Sequence, residues 1–571
     1  METINLTIDG TEVKTTRGKR ILEAALDAGI YIPNLCALRD IKLPFGACRL
    51  CQVQIEGRRG TITACSEPAA DGMVVHSNTP EVNCLRREIL EIMLVRHPHE
   101  CLTCWRKERC QPFDICLRNV SVTERCVTCP KNRHCELQNV ADFIGLDTMP
   151  LPYTPKGLPV EMENPFIVRN NNLCILCGRC IRVDQEILGF EAIAFNLRGA
   201  RTYIGGSFGK PLIESGCTFC GSCVEVCPTG ALMDRGEEWN RWEEREPLSI
   251  RCKYACPAHV DVPRFIRFIR EKRYAEAVAV IRESVPFAAV CSLICEHPCE
   301  AEGACRRGDL DQPVAIRALE RFAVERSGKY KPWEGMNAAP SGKKVAIVGS
   351  GPAGLTAAYY LAKKGGHAVT VFEGQDHVGG MMRTLPDYVL HRDVLDAEIE
   401  GLAKMGVKIK TKLKVESIDK LLEKGFDAVL LAAEVTPEII EAGAGKARKG
   451  AFNAGAGETS FIEAVAAGRR VAMSIDRYLG GDGNVSEILA PIPEGVPRVG
   501  RIDNFAQRRR QEMPKKKPAK QIDKFDEIEL GFSNDLGEEE AKRCMGCDLR
   551  FAVARMVAGP VGKANKTLVR S

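Results

Sequence analysis

Cysteine spacing carries the first chemical signal in this 571-residue chain, which holds 27 cysteines. Cys174, Cys177 and Cys180 follow one another at three-residue steps, and after a gap come Cys217, Cys220, Cys223 and then Cys227-Pro228. Such steps let three thiolates in one loop reach three corners of an iron–sulfur cubane, while the Cys before Pro crosses over to the neighbouring cluster. The spacing therefore predicts two adjacent 4Fe-4S centres, and adjacent centres mean electron transfer. Paired C-x2-C units also build zinc ribbons, but zinc takes four ligands and leaves the third and fourth Cys of a run without employment. One position departs from the two-cluster pattern. The step after Cys180 lands on Asp184, which either ligates iron through oxygen or leaves that cluster incomplete.

The elements needed to position such loops fit several domains: the chain length predicts three to five, and 45% hydrophobic residues suffice for several cores. No run approaches the roughly 18 uninterrupted apolar residues of a membrane helix. The N-terminus opens on a strand pattern rather than a signal peptide, so a cytoplasmic protein is expected. Without an export signal the cysteines read as metal ligands rather than disulfides. A net charge of +5 on 155 charged residues gives no general case for nucleic acid or membrane.

Residues 1–78 begin with Ile4, Leu6 and Ile8 alternating, a turn at Asp9-Gly10, a returning strand through Val13 and an amphipathic helix carrying Ile21, Leu22, Ala25 and Leu26. Cys36, Cys48, Cys51 and Cys65 follow, four thiolates, which suffice for a 2Fe-2S cluster. This stretch resembles the β-grasp 2Fe-2S ferredoxin domain that opens the large iron–sulfur subunit of respiratory complex I and of multimeric iron hydrogenases. In residues 79–148, His97-x3-Cys101-x2-Cys104-x5-Cys110 resembles the His-ligated 4Fe-4S motif of the same families, with His99 as the competing ligand. Cys126, Cys129 and Cys135 repeat the three-Cys spacing without a His, and Cys116 is the available fourth ligand. The repeat predicts a second 4Fe-4S cluster by internal duplication; one cluster with spare thiols is the alternative. After the connector at 149–165 comes the two-cluster ferredoxin-like segment, residues 166–245, whose Asn172–Cys180 stretch resembles the same subunits.

From about residue 246 the resemblance changes. Cys252, Cys256, Cys291, Cys295, Cys299, Cys305 and the Pro313–Phe322 stretch look like the helical iron–sulfur domain of the glutamate synthase small subunit and of dihydropyrimidine dehydrogenase. The Ala-x-Arg-Cys-x2-Cys segment that normally opens that domain stands instead at Ala541–Cys547, so the C-terminus is expected to fold back onto residues 246–330. The resemblance implies one cluster on Cys252, Cys305, Cys544 and Cys547, and another on Cys256, Cys295, Cys299 and the Glu320 carboxylate. Cys291 is left as a buried thiol, and a surface charge beside Arg321 is the alternative for Glu320. The basic stretch 508–520 reads as a solvated tether.

Residues 340–500 open with a strand, a glycine loop at Gly349, Gly351, Pro352, Ala353 and Gly354, a helix, and a second strand ending in Glu373. In that order the glycines let the backbone approach a pyrophosphate at a helix N-terminus, and the acid binds a ribose hydroxyl. Gly380 and Arg383 extend the flavoprotein resemblance, which implies FAD. The family's NADPH domain has no room: only residues 434–449 lie between the Asp427–Ala433 strand and the returning strand, whereas a βαβ unit needs about 30. Glu434 and the Gly455-Ala456 pair also depart from the family's flavin motifs.

The chain thus reads as a multidomain α+β and α/β protein: ferredoxin-like, His/Cys, two-cluster and helical iron–sulfur domains, then a truncated Rossmann-type FAD domain. It is expected to carry one 2Fe-2S cluster, up to six 4Fe-4S clusters and FAD. The expected role is electron relay in an anaerobic oxidoreductase complex, with no catalytic residue of its own. By resemblance its partners are an NADH dehydrogenase-type flavin/iron–sulfur subunit and a terminal hydrogenase, formate dehydrogenase, aldehyde or acyl-CoA oxidoreductase, with ferredoxin as a further candidate. The rival readings are a self-contained NAD(P)H-dependent flavoenzyme and a zinc-bound structural scaffold.

Overall fold

The computed structural model describes residues 2–118, 121, 124–236, 244–295, 299–328, 338–433, 449–454, 460–516 and 529–557. Glu434 and the Gly455-Ala456 pair lie outside them, as do residues 435–448 of the shortened connection. The chain forms two compact units, one of residues 1–249, 493–507 and 546–571, the other of residues 250–492 and 508–545.

In the first unit, strands Thr3–Ile8 and Thr11–Thr16 form an antiparallel hairpin, Val74–His76 pairs in parallel with the first of them, and Gln52–Ile55 and Ile62–Thr63 complete a five-stranded sheet. Asp9 and Gly10 both have positive φ, as so tight a connection requires. Ile4, Leu6 and Ile8 point alternately into a core shared with Ile21, Leu22, Ala24 and Ala25 of helix Ile21–Asp27. The period-2 and period-3.6 patterns therefore meet on one apolar surface.

Helix Pro80–Leu94 starts at Thr79, whose side chain accepts the Val82 N–H, with Pro80 in the first turn. Its Leu90 and Leu94 join Leu137 and Val140 of helix Glu136–Ile144 in a core that also contains Cys36, Cys48 and Cys135. Strand Ile167–Asn170 lies between Leu232–Asp234 and Val160–Glu161. The later helix Leu549–Ala554 is fixed by Arg550, fully buried, which grips Asp234 through two bonds of 3.0 and 2.7 Å and reaches Glu225 at 3.3 Å.

The second unit joins short helices to a parallel sheet. Strands Lys408–Lys410, Ala368–Phe372, Lys344–Val348, Ala428–Leu431 and Ala451–Asn453 lie in that order, all parallel. Their near-continuous apolar runs reflect burial on both faces. Helix Arg392–Lys404 ties sheet to helices: the buried Glu398 carboxylate accepts the Ala289 and Val290 N–H groups at 3.1 and 3.3 Å.

The basic stretch after residue 507 departs from the expected solvated tether: its described part, 508–516, is docked on the helical region. Arg510 donates to the Glu302 carboxylate at 2.7 Å and the Pro313 carbonyl at 2.8 Å, Arg508 pairs with Glu539, and the Gln511 N–H donates to Glu540 at 2.7 Å. Arginine forks find fixed carboxylate and carbonyl partners there, which a count of positive charges does not reveal. Helix Asn534–Ala541 follows, its Ala541 within the unit's main core.

Candidate iron–sulfur and dinucleotide sites

Cys36, Cys48, Cys51 and Cys65 are all buried and come together at the edge of the first sheet. The Cys48 N–H donates to Cys36 Sγ and the Leu35 N–H to Cys48 Sγ, each at 3.4 Å, while the free Cys51 and Cys65 thiols lie next to one another. Arg86 of helix Pro80–Leu94 holds the loop from behind by donating to the Leu50 and Gln52 carbonyls.

Both histidines of the next motif are buried. His97 Nδ1 lies 3.0 Å from the Pro98 carbonyl, which leaves Nε2 as the acceptor nitrogen, and burial lowers its pKa to about 4. A neutral ring oriented by a carbonyl is the state in which imidazole ligates metal. His99 has neither ring nitrogen hydrogen-bonded among the described residues. Cys101, Cys104, Cys110, Cys116 and Cys126 line one open pocket, and the Cys126 N–H donates to Cys101 Sγ at 3.3 Å. Cys129 and Cys135 sit elsewhere: a Cβ on Gly230 would fall 2.6 Å from Cys129 Sγ, and Cys135 Sγ lies 3.6 Å from the Pro228 carbonyl. The tertiary fold thus spreads the set Cys116, Cys126, Cys129 and Cys135 between the first motif's pocket and the Cys227 turn.

Cys174, Cys177, Cys180 and Cys227 line one cavity. The two Cys loops share a backbone conformation. Leu176 and Phe219, each just before the second Cys, have φ of 56° and 57°, and Gly178 and Gly221, just after it, have φ of 78° and 82°. Positive φ at a non-glycine residue is strained and collects at functional sites. Here it turns the Leu176 N–H onto Cys174 Sγ and the Phe219 N–H onto Cys217 Sγ, each at 3.4 Å. Amide donors directed at cluster sulfurs are a principal means of setting cluster potential. Burial pushes the Cys174 thiol up to about 11 and the Cys177, Cys180, Cys217 and Cys223 thiols higher still, so a metal must displace their protons on binding.

Asp184 is the second residue of the π-helical turn Val183–Leu188, a form common at functional sites. Its buried Oδ2 accepts the Ala192 and Ile193 N–H groups at 2.7 and 3.0 Å. Burial raises its pKa to about 7, and its charge is felt by Cys217, Cys220 and Cys223. The carboxyl is therefore held by its backbone contacts beside the three-Cys loop.

In the second unit, Cys256, Cys291, Cys295, Cys299 and Glu320 converge. The free Cys291, Cys295 and Cys299 thiols lie next to one another, and Cys291 lies next to Glu320. Glu320 is buried, its Oε1 has no hydrogen-bond partner among the described residues, and burial raises its pKa to about 7. It is therefore no surface charge. Cys291 belongs to the same constellation, which spacing alone did not show. Cys252, Cys305 and Cys544 pack against the same core, whereas Cys547 follows the switch of the chain into the other unit after Met545. Among the described residues, no three His, Cys, Asp or Glu side chains converge as closely as one metal ion requires. The Cys174 set surrounds a cavity instead.

The glycine loop between strand Lys344–Val348 and helix Pro352–Lys363 is shaped by contact. A Cβ at Gly349 would lie 2.7 Å from Ala433, and one at Gly354 would lie 2.2 Å from the Gly349 carbonyl. Gly351 differs, since its nearest neighbour would be 3.9 Å away and no side chain caps the helix there. An uncapped N-terminus beneath an open glycine is a ready anion cradle, so these residues fit a dinucleotide pyrophosphate. Glu373 closes the site, accepting from Ser350 N and Oγ, and these contacts hold its carboxylate below the usual range against its partial burial. A Cβ on Gly380 would meet Gly351 Cα at 2.9 Å, so the 379–383 turn packs on the cradle. Arg383 secures that turn, donating to the Val378 carbonyl at 2.7 Å and pairing with Asp396.

Comparison with known proteins matches five stretches of the chain. Residues 1–80 match the 2Fe-2S iron–sulfur cluster binding domain, 86–112 the NADH-ubiquinone oxidoreductase-G iron–sulfur binding region, and 164–233 the ferredoxin-like domain of NADH-quinone oxidoreductase subunit 3. Residues 247–331 match dihydropyrimidine dehydrogenase domain II, 4Fe-4S cluster, and 347–406 an NAD(P)-binding Rossmann-like domain. The chain is 35% identical over 241 residues to the NADPH-Fe(3+) oxidoreductase subunit alpha of Geobacter sulfurreducens, covering 41% of this chain and 25% of that one. It is 36% identical over 244 residues to the subunit beta of the same oxidoreductase, covering 41% and 35%. It is 36% identical over 317 residues to the NADP(+)-dependent formate dehydrogenase subunit beta of Moorella thermoacetica, covering 48% and 43%. The chain thus spans between a quarter and less than half of these relatives. It is a mixed α/β multidomain chain with iron–sulfur ferredoxin-like domains and a Rossmann-like nucleotide-binding domain.

Proposed function

We propose that the chain is an electron-relay subunit of a multisubunit oxidoreductase, passing electrons between iron–sulfur centres and an FAD. The observation that carries this reading is the repeated loop: two C-x2-C-x2-C turns with the same pair of positive-φ residues and the same N–H donated to the leading sulfur. The 2Fe-2S group would be held by Cys36, Cys48, Cys51 and Cys65. Cubanes would be held by His97 with Cys101, Cys104 and Cys110; by Cys174, Cys177, Cys180 and Cys227; and by Cys217, Cys220 and Cys223 with Asp184. A further cubane would use Cys256, Cys295 and Cys299 with Glu320. Such centres supply one-electron storage when bound. The protein's own work is to bury the thiols, aim amide donors at them and exclude water.

For the nucleotide site, the open Gly351, the uncapped helix and Glu373 support FAD, with Gly349 and Gly354 fixing the strand-to-helix turn. Similarity to both the alpha and the beta subunit of one NADPH-Fe(3+) oxidoreductase supports a place in a multisubunit complex. The complex would supply the pyridine-nucleotide and terminal sites on partner subunits, with formate among the candidate terminal substrates. No described helix is long and apolar enough to cross a membrane.

Iron, acid-labile sulfide and extracted flavin measured on the anaerobically purified chain test the reading together. Sulfide matched to iron, plus FAD, is expected. Zinc without sulfide would establish the structural scaffold instead, and robust NAD(P)H oxidation by the chain alone would show that the nicotinamide site has been misplaced.

A further inference from the structure

Arg179 has no exposed surface although it opens the one-turn helix Arg179–Arg182, between Cys177-Gly178 and Cys180. A buried guanidinium is costly and persists where charge opposes it. Its Nη1 donates to Glu136 Oε1 at 2.7 Å, and Glu136 directly follows Cys135. Its Nη2 stands 3.5 Å from Asn34 Oδ1, two residues before Cys36. Its Nε has no hydrogen-bond partner among the described residues. One cation therefore touches the backbone neighbourhoods of three thiol sets, with one carboxylate, a quarter exposed, as its ion-pair partner.

The geometry points to Arg179 as a shared positioning charge that raises the reduction potentials of the Cys36–Cys65 and Cys174–Cys227 centres together. This rests on the proposed function. A centre that gains an electron gains negative charge, and a fixed cation in a low-dielectric interior stabilises that form more than the oxidised one. Glu136 acts in the opposite sense, so the pair sets the level of both centres. A purely structural arginine would instead change the stability or loading of its own loop and leave the neighbouring centre's potential where it was.

The test is a potentiometric titration of the full chain, followed by electron paramagnetic resonance, in which the 2Fe-2S and 4Fe-4S signals are resolved. Arg179→Gln is expected to lower both midpoints, each by about a tenfold change in the reduced-to-oxidised ratio at fixed potential, equivalent to about 59 mV for a one-electron couple. Arg179→Lys, which keeps the charge, should restore most of the shift. Glu136→Gln should move both midpoints upward, and it keeps the test decisive if Arg179→Gln does not fold. Signals present in the variants with unmoved midpoints, or a shift confined to one centre, would overturn the inference. Absence of both signals from the unaltered, anaerobically prepared chain would overturn the proposed function beneath it, so the two failures are distinct.

Discussion

Arg543→Met should loosen the segment that carries Cys544. Arg543 is fully buried and donates to Glu540 at 2.9 Å, Asp311 at 3.0 Å, and the carbonyls of Arg508, Pro313 and Gln312 at 3.0, 3.1 and 2.7 Å. Breaking a buried ion pair by removing one partner costs about 3–5 kcal/mol, because the remaining charge stays uncompensated. Here the low end applies, since several partners keep other donors. Glu540 still accepts from Ala315 N and Gln511 N, Asp311 and the Arg508 carbonyl still accept from Arg307, and the Pro313 carbonyl from Arg510; among the described residues no second donor to the Gln312 carbonyl is seen. A loss of about 3 kcal/mol corresponds to roughly 150-fold more frequent opening. Hydrogen exchange of the helix Asn534–Ala541 amides measures it, because their protection reports local opening. Arg543→Lys should fall between, as one ammonium cannot span the five acceptors. Exchange less than about fivefold faster in Arg543→Met, a change of under about 1 kcal/mol, would refute the view that this arginine docks the segment.

Further outcomes are equally specific. Gly354→Ala should destabilise the second unit by about 1–3 kcal/mol in denaturant unfolding, because its Cβ would press on the Gly349 carbonyl, while Gly351→Ala should leave stability nearly unchanged and weaken FAD retention, read from extracted flavin. Burial lifts Glu398 to about 7 in the folded state from 4.5, so the native chain holds this proton more firmly than the unfolded one and stability should fall as pH rises from about 4.5 to 7; Glu398→Gln should flatten that slope, worth at most about 3 kcal/mol, in unfolding midpoints taken across this range. Mild oxidation should release the iron facing Asp184 and give a 3Fe-4S paramagnetic signal, because carboxylate is the harder ligand; Asp184→Cys should suppress it, and an unchanged signal would exclude Asp184 from the cluster.

Much was decided by the sequence alone because the relevant chemistry is local. The steps among Cys174, Cys177 and Cys180 and among Cys217, Cys220 and Cys223 lie within single loops, and the Gly349–Gly354 turn is one strand-to-helix junction, so spacing specifies which atoms can meet. The alternation of Ile4, Leu6 and Ile8 likewise fixes a strand face without reference to the rest of the chain. What only the tertiary structure decided involves partners far apart in sequence. Cys101 meets Cys126, and Cys129 meets Gly230, because loops far apart in sequence pack together; Cys291 joins Glu320 across two helices. The arginines show the difference most clearly. As letters, Arg179, Arg508 and Arg543 are surface charges by default, and residues 508–520 read as a tether. Their anchoring depends on carboxylates and carbonyls up to 232 residues away, Arg543 on Asp311 being the longest of these reaches, and long-range pairing of this kind leaves no periodicity for a sequence pattern to display.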